Sequence, residues 1–199
     1  MYNQGMVVYQ TVLTQKKTFQ FSMTISDFAI VYLDDKFITT LDRSKAVTHS
    51  VSITCDGNCK LYVLVEAMGH INFDHQMETD FKGAHQITDK STKFYWDIYK
   101  IEIDSSILDW RKLGSKSFPA LSKAEFNVTT IGDTYINVKN YKKGYVWVNG
   151  RNLGRYWNIG PSQKVFCPGT WLREGGNTIY ILDLLSDSLN EVTGDKTLK

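Results

Sequence analysis

The sequence predicts an all-β fold built from two tandem modules. Three observations predict it: apolar residues recur with period two, turn-forming residues cut the chain into short strands, and its two halves echo one another. Phe19, Phe21 and Met23 alternate with Gln20, Ser22 and Thr24, and Val47, His49, Val51 and Ile53 alternate with Thr48, Ser50 and Ser52. Such alternation sets one face on a core and the other in water. Residues 28–33, 61–65, 145–148 and 179–182 are richer in β-branched, aromatic and aliphatic side chains, which suits more buried strands. Asp34-Asp35, Gly57-Asn58, Asn149-Gly150 and Gly175-Gly176-Asn177 punctuate the runs with residues that tolerate positive φ. Asn149-Gly150, between Tyr145-Val146-Trp147-Val148 and Leu153, is the strongest hairpin signal, and no long stretch has helical periodicity.

The echo appears when the halves are slid over one another. Val31-Tyr32-Leu33-Asp34-Asp35-Lys36 matches Val146-Trp147-Val148-Asn149-Gly150-Arg151, a strand running into a tight turn in both. Leu61-Tyr62-Val63-Leu64 matches Ile179-Tyr180-Ile181-Leu182 at nearly the same offset. Two related modules in tandem account for both matches. The expected division is a first sandwich over residues 1–103 and a connecting segment over 104–122, which carries Gly114-Ser115 and Phe118-Pro119. A second sandwich over 123–185 follows, with room to recruit part of the connecting segment, then a polar, loosely held tail over 186–199.

Composition excludes several partners. With 42% hydrophobic and 22% charged residues over 199 positions, the chain is globular and long enough for a sizeable core. A formal charge of +2 gives no reason to expect nucleic acid or an anionic membrane as partner. No apolar run approaches the roughly 18–20 residues of a membrane span. Met1-Tyr2-Asn3-Gln4-Gly5 has neither a basic leader nor an apolar stretch, so the expectation is a chain that stays inside the cell or has lost its front. Cys55 and Cys59 bracket Asp56-Gly57-Asn58, where a small disulfide is conceivable but geometrically demanding. Zinc lacks a second ligand pair. Ordinary reduced thiols are the expectation there and at Cys167.

A longer motif narrows the field. The run Lys143-Gly144-Tyr145-Val146-Trp147-Val148-Asn149-Gly150-Arg151-Asn152-Leu153-Gly154-Arg155-Tyr156-Trp157, continuing through Asn158-Ile159-Gly160-Pro161, resembles the signature near the C-terminus of family 35 glycoside hydrolases, the β-galactosidases. Val165-Phe166-Cys167-Pro168-Gly169-Thr170-Trp171-Leu172 continues the likeness. Upstream, Gly5-Met6-Val7-Val8-Tyr9-Gln10-Thr11, Thr40-Leu41-Asp42-Arg43 and Asp80-Phe81-Lys82-Gly83 also fall in order. The resemblance covers roughly residues 5–185 and implies two galactose-binding-like jelly-roll β-sandwiches. It also implies that the family's two catalytic glutamates, which lie on a (β/α)8 barrel, are absent from this chain. A retaining mechanism needs both carboxyl groups about 5 Å apart across the sugar. No catalytic residue is therefore expected here, and in the absence of metal-ligand spacing or a nucleotide-binding motif no metal ligand or cofactor site is expected either. The chain departs from the family after Met68-Gly69, where an Arg-apolar-Asn-Tyr-Gly run is usual and His70-Ile71-Asn72-Phe73-Asp74 stands instead. Phe73 cannot donate a hydrogen bond to a sugar, and Asp74 lacks glycine's freedom at positive φ.

Other constellations carry recognisable chemistry. Asn152, Arg155, Tyr156 and Trp157 combine an aromatic platform with planar hydrogen-bonding groups, the chemistry that holds a galactose-containing glycan. Architectural duty is the stronger expectation, with Trp147 and Trp157 packed between sheets and Arg155 tied to a carboxylate such as Asp183. His70, Asp74, His75, Glu78, Asp80 and His85 are a ligand-rich stretch without a helix to align them, and read as a solvated loop. Asn127-Val128-Thr129 is a glycosylation sequon, relevant in the secretory route.

Three functions fit. The first is a non-catalytic accessory or structural subunit of a larger assembly, with Phe73, Trp96 and Trp110 as candidates for a surface that buries against other protein subunits. The second is the non-catalytic half of a working β-galactosidase, and the third a galactose-binding lectin-like module. Reduced thiols point inside the cell, whereas the family's lysosomal or secreted setting points outside it.

Overall fold

The computed structural model describes residues 5–109, 119–161 and 163–198. Every paired strand is antiparallel, and the chain divides into two compact units, residues 1–103 and 104–199. Among the described residues no helix is long and apolar enough to cross a membrane.

The first unit contains β1 (Gly5–Leu13), β2 (Lys17–Ser26), β3 (Phe28–Leu33), β4 (Lys36–Asp42), β5 (Thr48–Cys55), β6 (Cys59–Ala67), β7 (Gly83–Asp89) and β8 (Asp97–Ile101). They form a five-stranded sheet ordered β4-β3-β6-β1-β8 and a three-stranded sheet ordered β5-β2-β7. The alternating residues of β2 and β5 meet those of β3 and β6 between the sheets: Phe19, Phe21, Met23, Val51 and Ile53 pack with Ala29, Val31, Leu61 and Val63. Fully burying a large apolar side chain is worth about 1.5–3 kcal/mol, so this layer is what holds the two sheets together. Val47, expected on the inner face, is 56% exposed because β5 begins one residue later and the preceding turn carries it outward.

The second unit contains β9 (Ala120–Val128), β10 (Thr134–Asn137), β11 (Lys143–Val148), β12 (Arg151–Trp157), β13 (Lys164–Cys167), β14 (Gly175–Asp183) and β15 (Thr193–Asp195). Its sheets run β12-β11-β14-β9 and β13-β10-β15 around a core of Val146, Val148, Tyr156, Ile136, Ile179 and Ile181. β15 corrects the expectation of a loose tail after residue 185. It pairs with β10, Lys164 Nζ lies 2.7 Å from Asp195 Oδ2, and the Tyr141 hydroxyl donates to the Asn190 carbonyl.

The internal echo is visible in bonding detail. Asp34, in the β3–β4 turn, donates its N–H to the Lys60 carbonyl at 2.7 Å and accepts the Lys60 N–H on Oδ1 at 2.8 Å. Asn149, in the β11–β12 turn, makes the same two bonds to Thr178, at 2.9 and 3.0 Å. Both residues have positive φ, 52° and 50°. The ladder slips at equivalent points as well, between Val31 and Tyr32 and between Val146 and Trp147. Strands β3, β4, β6 and β1 thus correspond to β11, β12, β14 and β9. The correspondence stops at the edge: β1 carries β8 on its far side, whereas β9 has no neighbour there among the described residues.

Candidate functional site

The loop between β6 and β7 is set on a cluster of charges whose two carboxylates and one lysine are buried, with Arg43 partly exposed at its rim. Asp27 lies between β2 and β3, Arg43 follows β4, and Asp80 and Lys82 precede β7. Arg43 Nη1 donates to Asp27 Oδ1 at 3.0 Å and to Asp80 Oδ1 at 2.9 Å. Lys82 Nζ stands 3.0 and 3.1 Å from the same two oxygens. The remaining oxygen of each carboxylate holds loop backbone: Asp27 Oδ2 accepts the Met68 N–H at 2.7 Å and Asp80 Oδ2 the Ile71 N–H at 2.8 Å. Two carboxylates and two cations balance, which is what makes their burial tolerable. Burial alone would raise the Asp80 carboxyl, but the Ile71 N–H, Arg43 and Lys82 hold it far below the usual carboxylate range.

This corrects the reading of the stretch as a solvated loop. Asp74, His75, Glu78 and His85 are exposed, but the Asp80 side chain is wholly buried and His70 is partly covered, with Nδ1 3.5 Å from Asp80 Oδ2. Among the described residues no three His, Cys, Asp or Glu side chains converge on a metal-sized site. The Asp27–Asp80 pair also differs chemically from a glycosidase dyad. An acid catalyst needs a raised pKa and an open face toward the sugar, whereas these carboxylates are buried and already bound by cations and N–H groups.

From this base the loop projects apolar groups. Phe73 is 83% exposed, and Met77 and Phe81 are each about half exposed. Asp74 adopts the left-handed φ of 88° that the sequence argument reserved for glycine; its carboxylate accepts the His75 N–H and caps the short 3₁₀ turn His75–Glu78. The other two residues expected on an apolar surface behave differently. Trp96 is partly buried against the core of the first sandwich, next to Phe94, and Trp110 lies outside the described residues.

In the second unit, strand alternation divides the carbohydrate candidates. Tyr156 points into the core, 2% exposed, and its hydroxyl donates to the Leu182 carbonyl at 3.1 Å. Burial first, and Asp183 next, push that phenol well above its ordinary value. It cannot reach a ligand, which corrects its place in the expected glycan site. Trp157 carries the fully buried Lys143 ammonium 4.3 Å from its ring centroid, so that ring is already engaged in a cation–π contact. Asn152 Oδ1 accepts the Gly154 N–H at 2.7 Å, bracing the point in β12 where its register with β11 shifts, and Arg155 is exposed. Asp183 accepts the Lys142 and Leu185 N–H groups, a backbone clamp. Trp147 is fully buried.

Two further features depart from the sequence expectations. Cys55 and Cys59 form a disulfide with Cα atoms 5.9 Å apart, contrary to the reduced thiols expected. The β5–β6 hairpin brings them within bonding range because Gly57 and Asn58 both take positive φ. Cys167 is the buried free thiol, and its burial, with Asp133 nearby, pushes it up to about 11. The second feature is a cleft of about 940 Å³ in the second sandwich, opening between β9 and the β15 segment. Its floor is apolar, from Phe126, Ile136, Leu172, Ile179 and Ile181. On its wall Asp133 accepts the Gly169 N–H, and Glu125 lies 3.3 Å from Lys123.

Comparison with known proteins agrees with this architecture. Residues 1–102 match the family model of the first all-β domain of β-galactosidase, and residues 119–177 match its galactose-binding domain. A β-galactosidase-1-like protein 3 of Rattus norvegicus is 32% identical over 190 residues, covering 90% of this chain and 29% of the relative. The β-galactosidase 1 of Dictyostelium discoideum is 27% identical over 208 residues, covering 91% and 31%. The β-galactosidase of Xanthomonas manihotis is 30% identical over 168 residues, covering 81% and 28%. The chain thus spans about 30% of the length of the curated relatives it matches. It belongs to the β-galactosidase family, corresponding to that family's non-catalytic all-β region.

Proposed function

We propose that this chain is a non-catalytic accessory body that works by docking onto another protein within a larger assembly, the β6–β7 loop forming part of the contact. The observation that carries this reading is the pairing of an exposed apolar tip with a rigid base. Phe73, Met77 and Phe81 are left in water on a loop whose backbone is tied at Met68 and Ile71 to a largely buried, charge-balanced cluster. Exposed apolar groups on a fixed frame suit an interface, because little ordering is left to offset the gain from burial. The test is association. Phe73→Asp is expected to weaken partner capture at least tenfold in a quantitative pull-down while leaving the melting curve unchanged. A monodisperse monomer with no partner in extracts of its own cells overturns the reading.

A second reading makes the partner a catalytic domain on the same polypeptide, so that the chain is the non-catalytic half of an active β-galactosidase. The length relation to the curated relatives favours it. On both readings the isolated chain releases no galactose from a β-galactoside. A reading frame continuing for several hundred residues upstream of Met1 selects the second; a start at Met1 with a separate partner selects the first. A lectin role, suggested by the description of the matched galactose-binding model, predicts heat on titration with galactose that Trp157→Ala abolishes.

A further inference from the structure

We propose that Asn127 carries an N-linked glycan, and that this glycan guards the β9 edge of the second sandwich. Asn127-Val128-Thr129 has the required acceptor pattern, an Asn followed two positions later by a hydroxyl residue with no intervening proline. Where such a tripeptide falls in a fold decides whether a glycan can be carried. Asn127 is the penultimate residue of β9, opposite Gly176 on β14. Its neighbour Phe126 packs against the core, so alternation turns Asn127 to the outer face, where it and Thr129 are both exposed. Gly176 contributes no side chain beside it: a Cβ built there would have Asn127 Oδ1 as its nearest contact, at 4.0 Å. The folded protein therefore has room for a sugar on the Asn127 amide.

A second, independent observation concerns the compartment. Cys55 and Cys59 are joined, and structural disulfides persist in the oxidising spaces where asparagine glycosylation takes place. A third concerns purpose. The far edge of β9 has no strand among the described residues, although its counterpart β1 is covered by β8. Beneath that edge lies the apolar cleft, with Ile131 half exposed at its rim. A sheet edge with no neighbouring strand among the described residues, beside apolar surface, invites pairing between chains, and bulk at the edge prevents it.

The transfer itself is redox-neutral. A bond forms between Asn127 Nδ2 and the anomeric carbon of an oligosaccharide carried on a polyprenyl diphosphate. The bond from that carbon to the diphosphate oxygen breaks, the lipid diphosphate leaves with the electron pair, and the amide gives up one proton to the transferase.

The test is a peptide map of the full chain purified from its own cells. Tryptic peptide 124–139 is expected to be missing at its unmodified mass. After peptide N-glycosidase treatment in heavy-oxygen water it should appear with a labelled aspartate at position 127. An unmodified Asn127 overturns the site. In the same cells Asn127→Gln and Thr129→Ala should lose the mass increment, while Thr129→Ser keeps it, which separates loss of the acceptor from failure to fold. Enzymatic removal of the glycan from the folded protein should raise self-association by light scattering. Deglycosylated protein that stays monodisperse overturns the guarding role.

Discussion

Arg43 donates to Asp80 across 2.9 Å, joining the end of β4 to the segment that leads into β7. The same Asp80 oxygen faces Lys82, and its other oxygen holds the Ile71 N–H. Removing Asp80 leaves the buried Lys82 short of a partner, and breaking a buried pair typically costs about 3–5 kcal/mol. Asp80→Asn is expected to lower the unfolding free energy of the first sandwich by about 3 kcal/mol in urea titration. Amides of the Met68–Ile71 stretch should be the first to lose protection from hydrogen exchange. A loss below about 0.5 kcal/mol, the size of an ordinary surface substitution, would show that the cluster does not hold the loop.

The same carboxylate sets an acid limit. Its pKa is lower in the folded chain than in the unfolded one, so the unfolded state takes up the proton first as pH falls. The contribution is therefore complete above the unfolded aspartate value of about 3.9 and is lost as pH drops below it. Asp89 adds in the same direction: burial opposes its ionisation, but the Gln20 N–H and Ser91 lower its pKa overall. Urea midpoints should be flat from neutral pH to about pH 5 and fall steeply below about pH 4. In Asp80→Asn that fall should be shallower. An identical pH profile in the variant would remove Asp80 from the account.

The strand framework was open to reading because its signals are local. Asn149-Gly150 and Asp34 declare their turns through residues that accept positive φ, and the period of two is written along β2 and β5. The charge cluster is not local. Asp27, Arg43, Asp80 and Lys82 lie on separate connections, and no spacing rule links them. A histidine- and carboxylate-rich loop looks the same on paper whether its acids face water or cations. Tyr156 and Trp157 show the converse: composition suggested a sugar platform, and alternation along β12 sends the first into the core. Asp74 shows how far local chemistry stretches, since a short acid that bonds the next N–H can occupy a glycine's conformation.

Gly144 is fixed by close approach rather than by φ. It lies in β11 between Tyr156 on β12 and Asp183 on β14. A Cβ there would sit 1.7 Å from the Leu182 carbonyl oxygen and 3.0 Å from the Tyr156 hydroxyl. Both belong to the hydrogen bond that crosses the glycine. Backbone cannot step aside as a side chain can, so Gly144→Ala should cost more than about 4 kcal/mol, beyond the usual range for one substitution. Differential scanning calorimetry should show the second sandwich unfolded and the first melting near its usual temperature. An unchanged melt of both units would mean that the strands can separate there at little cost.

Asp74 offers the opposite sign. Its φ of 88° with ψ of 164° lies in a region that glycine occupies freely and that costs other residues of order 1–3 kcal/mol. Replacing a capping acid with glycine at a helical start loses only a few tenths of a kcal/mol. Asp74→Gly should therefore stabilise the first sandwich by about 1 kcal/mol, read as a higher urea midpoint with an unchanged slope. Asp74→Ala keeps the backbone conflict and loses the cap, so it should destabilise. Destabilisation by both substitutions would show that the carboxylate's bond to His75 outweighs the strain.

The Cys55–Cys59 bond closes a short loop, with a sequence separation of 4. Restricting so few residues in the unfolded chain is worth roughly 2 kcal/mol on the chain-entropy account, less than a long-range bridge would contribute. Cys55→Ser with Cys59→Ser should lower the melting temperature of the first sandwich by several degrees and leave the second unchanged. The hairpin should survive, because its Gly57-Asn58 turn and the β6 ladder do not depend on sulfur. Alkylation before reduction gives the direct check: purified protein should accept label at neither position, and Cys167, buried and pushed up to about 11, should react only after unfolding. Rapid labelling of Cys55 and Cys59 in the native protein would restore the reduced-thiol reading and with it an intracellular setting.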